Sequence, residues 1–470
     1  MKKTRLIEVL RSFEKKELRE FKKWLHSPVH NQREDVRQLY AYLIDGKRLD
    51  KDHLIHKEKV FTFLYPDEVY DDAKMRQVSY FFMKEMESYL VFASSRADEL
   101  EYKIRLARIY NERELKREFE SNLTGLDKLL DNAQYIDSTY HRFNYQKNLE
   151  ESRHLATQKR QIAFEKMQEV SQKLDTYFLS EKLQTSLDML TAQSIYKTEF
   201  DFGILEDILK YIEENELYEL PSIGVYYFTF RSLEFKDEEG YYWKLKDLLM
   251  SNLDTFRVQK LKEFFVNLIN YCVGKMNMGK VEFIRETFEM YKIGLDQEIL
   301  TYGGRVTRVM FINIVSTGSK LKEFDWVAGF IEQYKIDLLD SEKESIYNLS
   351  MGIMHFYNKD FKALESYILK VNHQDILLNL LTRNYLLIAY YKLGKAEELD
   401  LLIESMSKYL MRKEIVGYAR ELYKNNLSIM KKLVNLNVYD SDERKKFKDQ
   451  VAEINPMTNS MREWFLEQVQ

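Results

Sequence analysis

GKVEFI at 279–284, KEFDWV at 322–327, KDFKAL at 359–364 and GKAEEL at 394–399 are four versions of one short stretch. Each follows a helix-length apolar pattern and opens another. Their first residues lie 43, 37 and 35 positions apart, in or near the range of helix-turn-helix repeats. A two-helix unit cannot bury its apolar face alone, so units at this period stack and share one core. The expected fold is all-α: a helical-repeat solenoid preceded by a small N-terminal helical domain.

Composition agrees. Fifteen Gly and four Pro in 470 residues make about 4%, against roughly 12% in average usage. With so little of the usual turn punctuation, the helices must be long, the connections short and β structure scarce. The net charge of −4 offers no strongly basic footprint for nucleic acid. Locally the balance shifts: residues 1–25 hold nine Lys/Arg against four Glu, while 199–254 hold fourteen acids against five bases. One cysteine, Cys272, excludes an internal disulfide and a cysteine-built zinc site. The basic N-terminus is broken by Glu8 and Arg11, unlike a signal peptide, and no apolar run is long enough for a membrane span. The chain is therefore expected in the cytoplasm, with no membrane partner.

Punctuation divides the chain into four expected regions. In 1–95, Phe13, Leu18, Phe21, Trp24 and Leu25 form a helical stripe that Ser12 can cap and Pro28 ends. Residues 96–200 read as long charged helices forming a hairpin region. Residues 201–440 form the repeat region: Pro221, Gly224 and the DEEG run ending at Gly240 bound a helix pair, and the repeats take over from 241. Residues 441–470 read as capping helices, started by Ser441 and divided by Pro456, the last bearing Trp464, Phe465 and Leu466.

AYYKLGKAEEL at 389–399 resembles the helix-turn-helix junction of tetratricopeptide repeats (TPRs), and MHFYNKDFKAL at 354–364 matches it 35 residues earlier. The family favours small residues where the two helices touch. Here Gly352 fits, but its counterpart is Leu387, so the repeat is degenerate. With LREFKKWLHSP at 18–28 and LKEFDWVAGFIEQY at 321–334, most of the chain also resembles an uncharacterised bacterial family of helical-repeat proteins. That likeness implies a fold and no particular activity.

Motifs for chemistry are few. GKMNMGKV at 274–281 has the glycine spacing of a phosphate loop, yet Val281 stands where a magnesium-binding hydroxyl is needed, and a helix precedes it where a strand should. His53 and His56 are three apart with Asp52 and Glu58 near, but no further Cys or conveniently spaced His completes a tetrahedral zinc shell. Cys272 falls on an apolar stripe and reads as core. No catalytic residue, cofactor site or metal site is expected. Lys74, Arg76 and Gln77 lie early on a helix after a turn, as a recognition helix would, but Glu85 and Glu87 share that helix.

The expected function is a non-enzymatic protein–protein interaction scaffold, docking a peptide or helix on a concave face lined by the first helices of the repeats. Arg308, Asn313, Asn348 and Asn384 are polar residues in otherwise apolar first helices and are the candidate groove residues; for each, the alternative is an ordinary solvent-facing residue. The other reading is a regulator whose N-terminal domain binds DNA or an effector protein while the solenoid senses a ligand.

Overall fold

The computed structural model describes every residue except 1–3, 159, 197, 302–304, 373–374 and 413–416. The protein is all-α. Among the described residues, 79% are helical in 23 α-helices packed as neighbouring pairs, and no strand is present. This arrangement is compatible with a helical-repeat fold. Two compact units form, residues 1–133 with 138–178, and residues 134–137 with 179–470.

The first unit contains α1 (Arg5–Arg11), α2 (Lys15–His26), α3 (Glu34–Ile44), α4 (Lys57–Leu64), α5 (Asp72–Ala97), α6 (Glu99–Glu112), α7 (Lys116–Asp131), α8 (Ser138–Gln158) and the start of α9 (Arg160–Tyr196). Helix α2 buries Phe21 among the rings of Phe13, Tyr40, Phe82 and Tyr89, with centroids 5.3–5.8 Å apart. One core runs from Leu6 to Tyr89, and a second, smaller one joins α6, α7 and α8 around Phe119 and Leu126. The expected cap is corrected here. Ser12 ends α1, its hydroxyl donating to the Val9 carbonyl, whereas α2 starts from Glu14 in a reciprocal capping box with Glu17. Phe13 must turn into the core between the two helices, so the break falls on it.

The second unit continues α9 and adds α10 (Leu205–Glu214), α11 (Pro221–Glu234), α12 (Glu239–Met250), α13 (Val258–Asn277), α14 (Glu282–Asp296), α15 (Arg308–Lys320), α16 (Phe324–Tyr334), α17 (Lys343–Tyr357), α18 (Phe361–Ile368), α19 (Ile376–Leu393), α20 (Ala396–Arg412), α21 (Gly417–Val434), α22 (Ser441–Glu453) and α23 (Asn459–Glu467). Pro221 occupies the first turn of α11, where its missing N–H costs nothing. Asp440, not Ser441, caps α22, accepting from the amides of Asp442 and Glu443. A carboxylate there both bonds the free amides and favours the helix dipole.

The four related stretches are the turns of α13–α14, α15–α16, α17–α18 and α19–α20. Each opens on a left-handed residue: Gly279 (φ 89°), Lys322 (63°), Lys359 (60°) and Gly394 (69°). In each, the next amide reaches five residues back: Lys280 to Lys275, Glu323 to Gly318, Asp360 to His355 and Lys395 to Tyr390, at 3.0–3.1 Å. All four are therefore Schellman endings, which satisfy carbonyls the helix leaves free. The sixth residue of each stretch, Ile284, Val327, Leu364 or Leu399, is buried against the preceding helix. At Gly352 a Cβ would lie 2.7 Å from the end of Ile368, so α17 and α18 approach closely there, whereas the counterpart Leu387 fills its contact as core. Successive pairs are joined at the same register by charge: Arg285 to Glu323 at 2.5 Å, and Glu365 to Lys395 at 2.6 Å. Trp326 is half-buried, stacked on Phe330 and edge-on to Phe288.

Candidate peptide-docking face

The first helices of the pairs, α13, α15, α17 and α19, present two rims built from different chemistry. At the N-terminal rim, Arg308 reaches across two neighbouring pairs, bonding Glu342 and Asp375 at 2.7 Å each. Asp375 also caps α19 through the amides of Leu377 and Leu378. The Leu378 amide and the Arg308 guanidinium hold its carboxyl below the usual range. Val309 and Asn313, one turn apart on α15, are exposed beside this rim, as is Leu377.

At the C-terminal rim lies α23, which packs its backbone closest to α21 and α22 and extends side chains toward the first helices. Thr458 caps it. Its Asn459 amide donates to the carbonyl of Met276 at the end of α13. Glu463 pairs with Lys320 at the end of α15 (3.0 Å), and Glu467 with Lys359 beyond α17 (3.4 Å). Ser460 and Tyr357 share a 3.1 Å hydrogen bond, and Lys392 donates to Gln468 at 2.9 Å. The apolar side of α23, Met461, Trp464 and Phe465, is buried, with Trp464 edge-on to Tyr391. Thus one short helix spans the ends of four consecutive first helices. A cavity of about 340 Å³ remains between α23 and the ends of α15, α17 and α19, bordered by Lys320, Lys322, Lys359 and Lys392.

The four candidate groove residues are not brought together. Arg308 is engaged in its two ion pairs, and Asn313 is exposed. Asn348 is buried and bonds back to Glu344 within α17. Asn384 is buried beneath α23: its amide donates to Met461 Sδ at 3.0 Å, and its oxygen accepts from Asn426 at 3.2 Å. Neither buried asparagine faces solvent, because α17 is surrounded by its neighbours and α23 covers α19. Sequence reasoning passed over Lys320, Tyr357 and Lys392. A signal for them exists, since all three stand two residues before the left-handed turn residue and all three contact α23.

The remaining motifs have structural settings. Gly274–Val281 forms the end of α13 and its turn, with Lys275 buried against Glu239 at 3.2 Å. Cys272 is buried, its thiol donating to the Tyr242 hydroxyl, and burial raises it to about 12. Lys74 is held by Glu68, and Arg76 by Asp72. His53 and His56 are exposed. Among the described residues no His, Cys, Asp or Glu cluster suited to a metal occurs, and no helix is long and apolar enough to cross a membrane. No protein-family model, curated protein or solved structure matches this chain.

Proposed function

We propose that the chain is a cytoplasmic, non-enzymatic interaction scaffold, a degenerate TPR-like solenoid that docks a helix or peptide across the first helices of its repeats, preceded by an N-terminal helical domain. One observation carries this reading: α23 already lies across four first helices, joined by side chains at a repeated register. A surface that seats one amphipathic helix has the spacing, apolar floor and charged rim that another needs. The test is fluorescence anisotropy of the full-length chain against helical peptides sharing one apolar face but carrying acidic, neutral or basic rims. At least one should bind, and Lys320→Glu with Lys392→Glu should alter its affinity at least about fivefold, or about 1 kcal/mol. A chain that binds none, or whose binding ignores both substitutions, is no scaffold of this kind.

The regulator reading keeps one observation in its favour. A groove of about 440 Å³ between α2 and α3 is lined by the bases Lys15, Arg19, Lys22 and Arg37 and by the acids Glu34 and Asp45, with Arg37 paired to Glu34. Lys15, Arg19 and Lys22 make no ion pair among the described residues. Nucleic-acid binding that weakens steeply with salt and disappears in Lys15→Glu/Arg19→Glu would move the function to this unit.

A further inference from the structure

The seat of α23 is well made at its edge and poorly made at its floor. At the edge, Glu463 and Glu467 stand four residues apart and face Lys320 and Lys359. Beneath them, Asn384 donates its amide to a thioether, a weak acceptor. Asn426, only 1% exposed, leaves its side-chain oxygen without a partner, and so does the fully buried hydroxyl of Ser319 at the cavity wall. A buried polar group left unpaired carries the desolvation cost of that group, and a half-satisfied network is worse than an apolar one. The resident helix therefore satisfies the charges and the outer hydrogen-bonding groups of its seat, and leaves Asn426 Oδ1 and Ser319 Oγ at the floor unpaired.

We propose that this seat binds an acidic amphipathic helix of a partner protein, which enters by displacing α23. The inference rests on the helix-docking reading above and names the partner's chemistry. The partner helix carries two Glu or Asp four residues apart for Lys320 and Lys359, and an aromatic pair in the places of Trp464 and Phe465. In the place of Met461 it carries an amide or hydroxyl side chain that engages the Asn384–Asn426 pair. Charge complementarity selects the acidic helix over a basic one. The orphaned polar atoms select a better hydrogen-bonding occupant over α23 itself. A flat anionic surface is disfavoured because Met461, Trp464 and Phe465 fill enclosed apolar positions. Displacement is a competition, so apparent affinity falls in proportion to the fraction of chains in which the seat is open.

The test uses the full-length chain and a fluorescent peptide of residues 457–470. A chain carrying Glu463→Lys and Glu467→Lys, which repels its own α23, should bind the peptide at least about tenfold more tightly than the unaltered chain, as expected if the seat is closed about nine times in ten. A chain carrying Lys320→Glu and Lys359→Glu should lose the peptide, and a peptide carrying the two Glu→Lys changes should bind that chain. The peptide with Met461→Gln should bind better than its parent. If the opened chain fails to fold by circular dichroism, Met461→Gln in the full-length chain decides instead: α23 amides should exchange more slowly and peptide binding should weaken. Equal binding to unaltered and opened chains, or indifference to the lysine reversals, overturns displacement and leaves helix docking standing. Absence of binding by any helix to any chain removes both readings.

Discussion

Two of the four pair junctions make their left-handed turn with glycine, Gly279 and Gly394, and two make it with lysine, Lys322 and Lys359. The hydrogen bonds are the same in all four. Yet a residue with a Cβ carries a penalty of about 1–2 kcal/mol in this conformation, from the clash with the following carbonyl. The turn is thus imposed by how each pair packs, and glycine only makes it easier. Both lysines border the cavity under α23, and Lys359 reaches Glu467. Glu114 ends α6 in the same left-handed conformation, with the same five-back bond from Leu115 to Tyr110, so a residue with a Cβ serves this turn away from α23 as well.

If packing imposes the turn, the largest effects should come from beneath it. Leu364, fully buried under the Lys359 turn, should cost about 2–5 kcal/mol when changed to Ala, as other emptied leucine sites do. A loss below about 1 kcal/mol in denaturant melts would mean that the turn, and not the packing, holds the pair together. The turn itself should come next. Gly394→Ala forces a Cβ into the left-handed region and should cost about 1–2 kcal/mol. Lys322→Gly reverses that experiment. It relieves the same strain but gives back the flexibility glycine adds to the unfolded chain, so a net gain of about 0.5 kcal/mol is expected. Lys322 suits the comparison because it makes no ion pair among the described residues, unlike Lys359. A destabilised Lys322→Gly would show that the lysine side chain, not the backbone, stabilises that turn.

The smallest effect belongs to the opposite rim. Asp375 has its folded-state value lowered, so its contribution is present above the unfolded carboxyl value near 3.9 and is lost as pH falls through the folded one. Melting temperatures of the unaltered chain and Asp375→Asn should differ at pH 6 and converge toward pH 3. The gap should be modest, because Arg308 and Asp375 are each about a third exposed and screened by water. A gap that widens on acidification would contradict the assigned sign.

How much was legible follows from the kind of information each feature needs. The turns were readable because Gly394 and the apolar sixth residues Val327, Leu364 and Leu399 leave a local pattern that repeats. The stripe of Trp326, Phe330 and Tyr334 was readable from helical spacing, but its depth was not; Trp326 is half-buried against Phe288 and Phe330. Asn348 and Asn384 show the limit most clearly. A polar residue in an apolar helix looks the same in sequence whether it lines a groove or bonds inside the core.

Sequence by itself determined the all-α class and the junctions of the helix pairs. Low Gly and Pro content, helical periodicity and turn chemistry act between residues a few positions apart. Tertiary structure alone decided that α23 lies across the ends of the first helices, with Lys320 meeting Glu463 over 143 residues of chain and Asn459 meeting Met276 over 183. No local preference encodes such a meeting. It depends on the stacked pairs bringing their helix ends into one row, where a short helix with two acids and three buried apolar side chains can cover them.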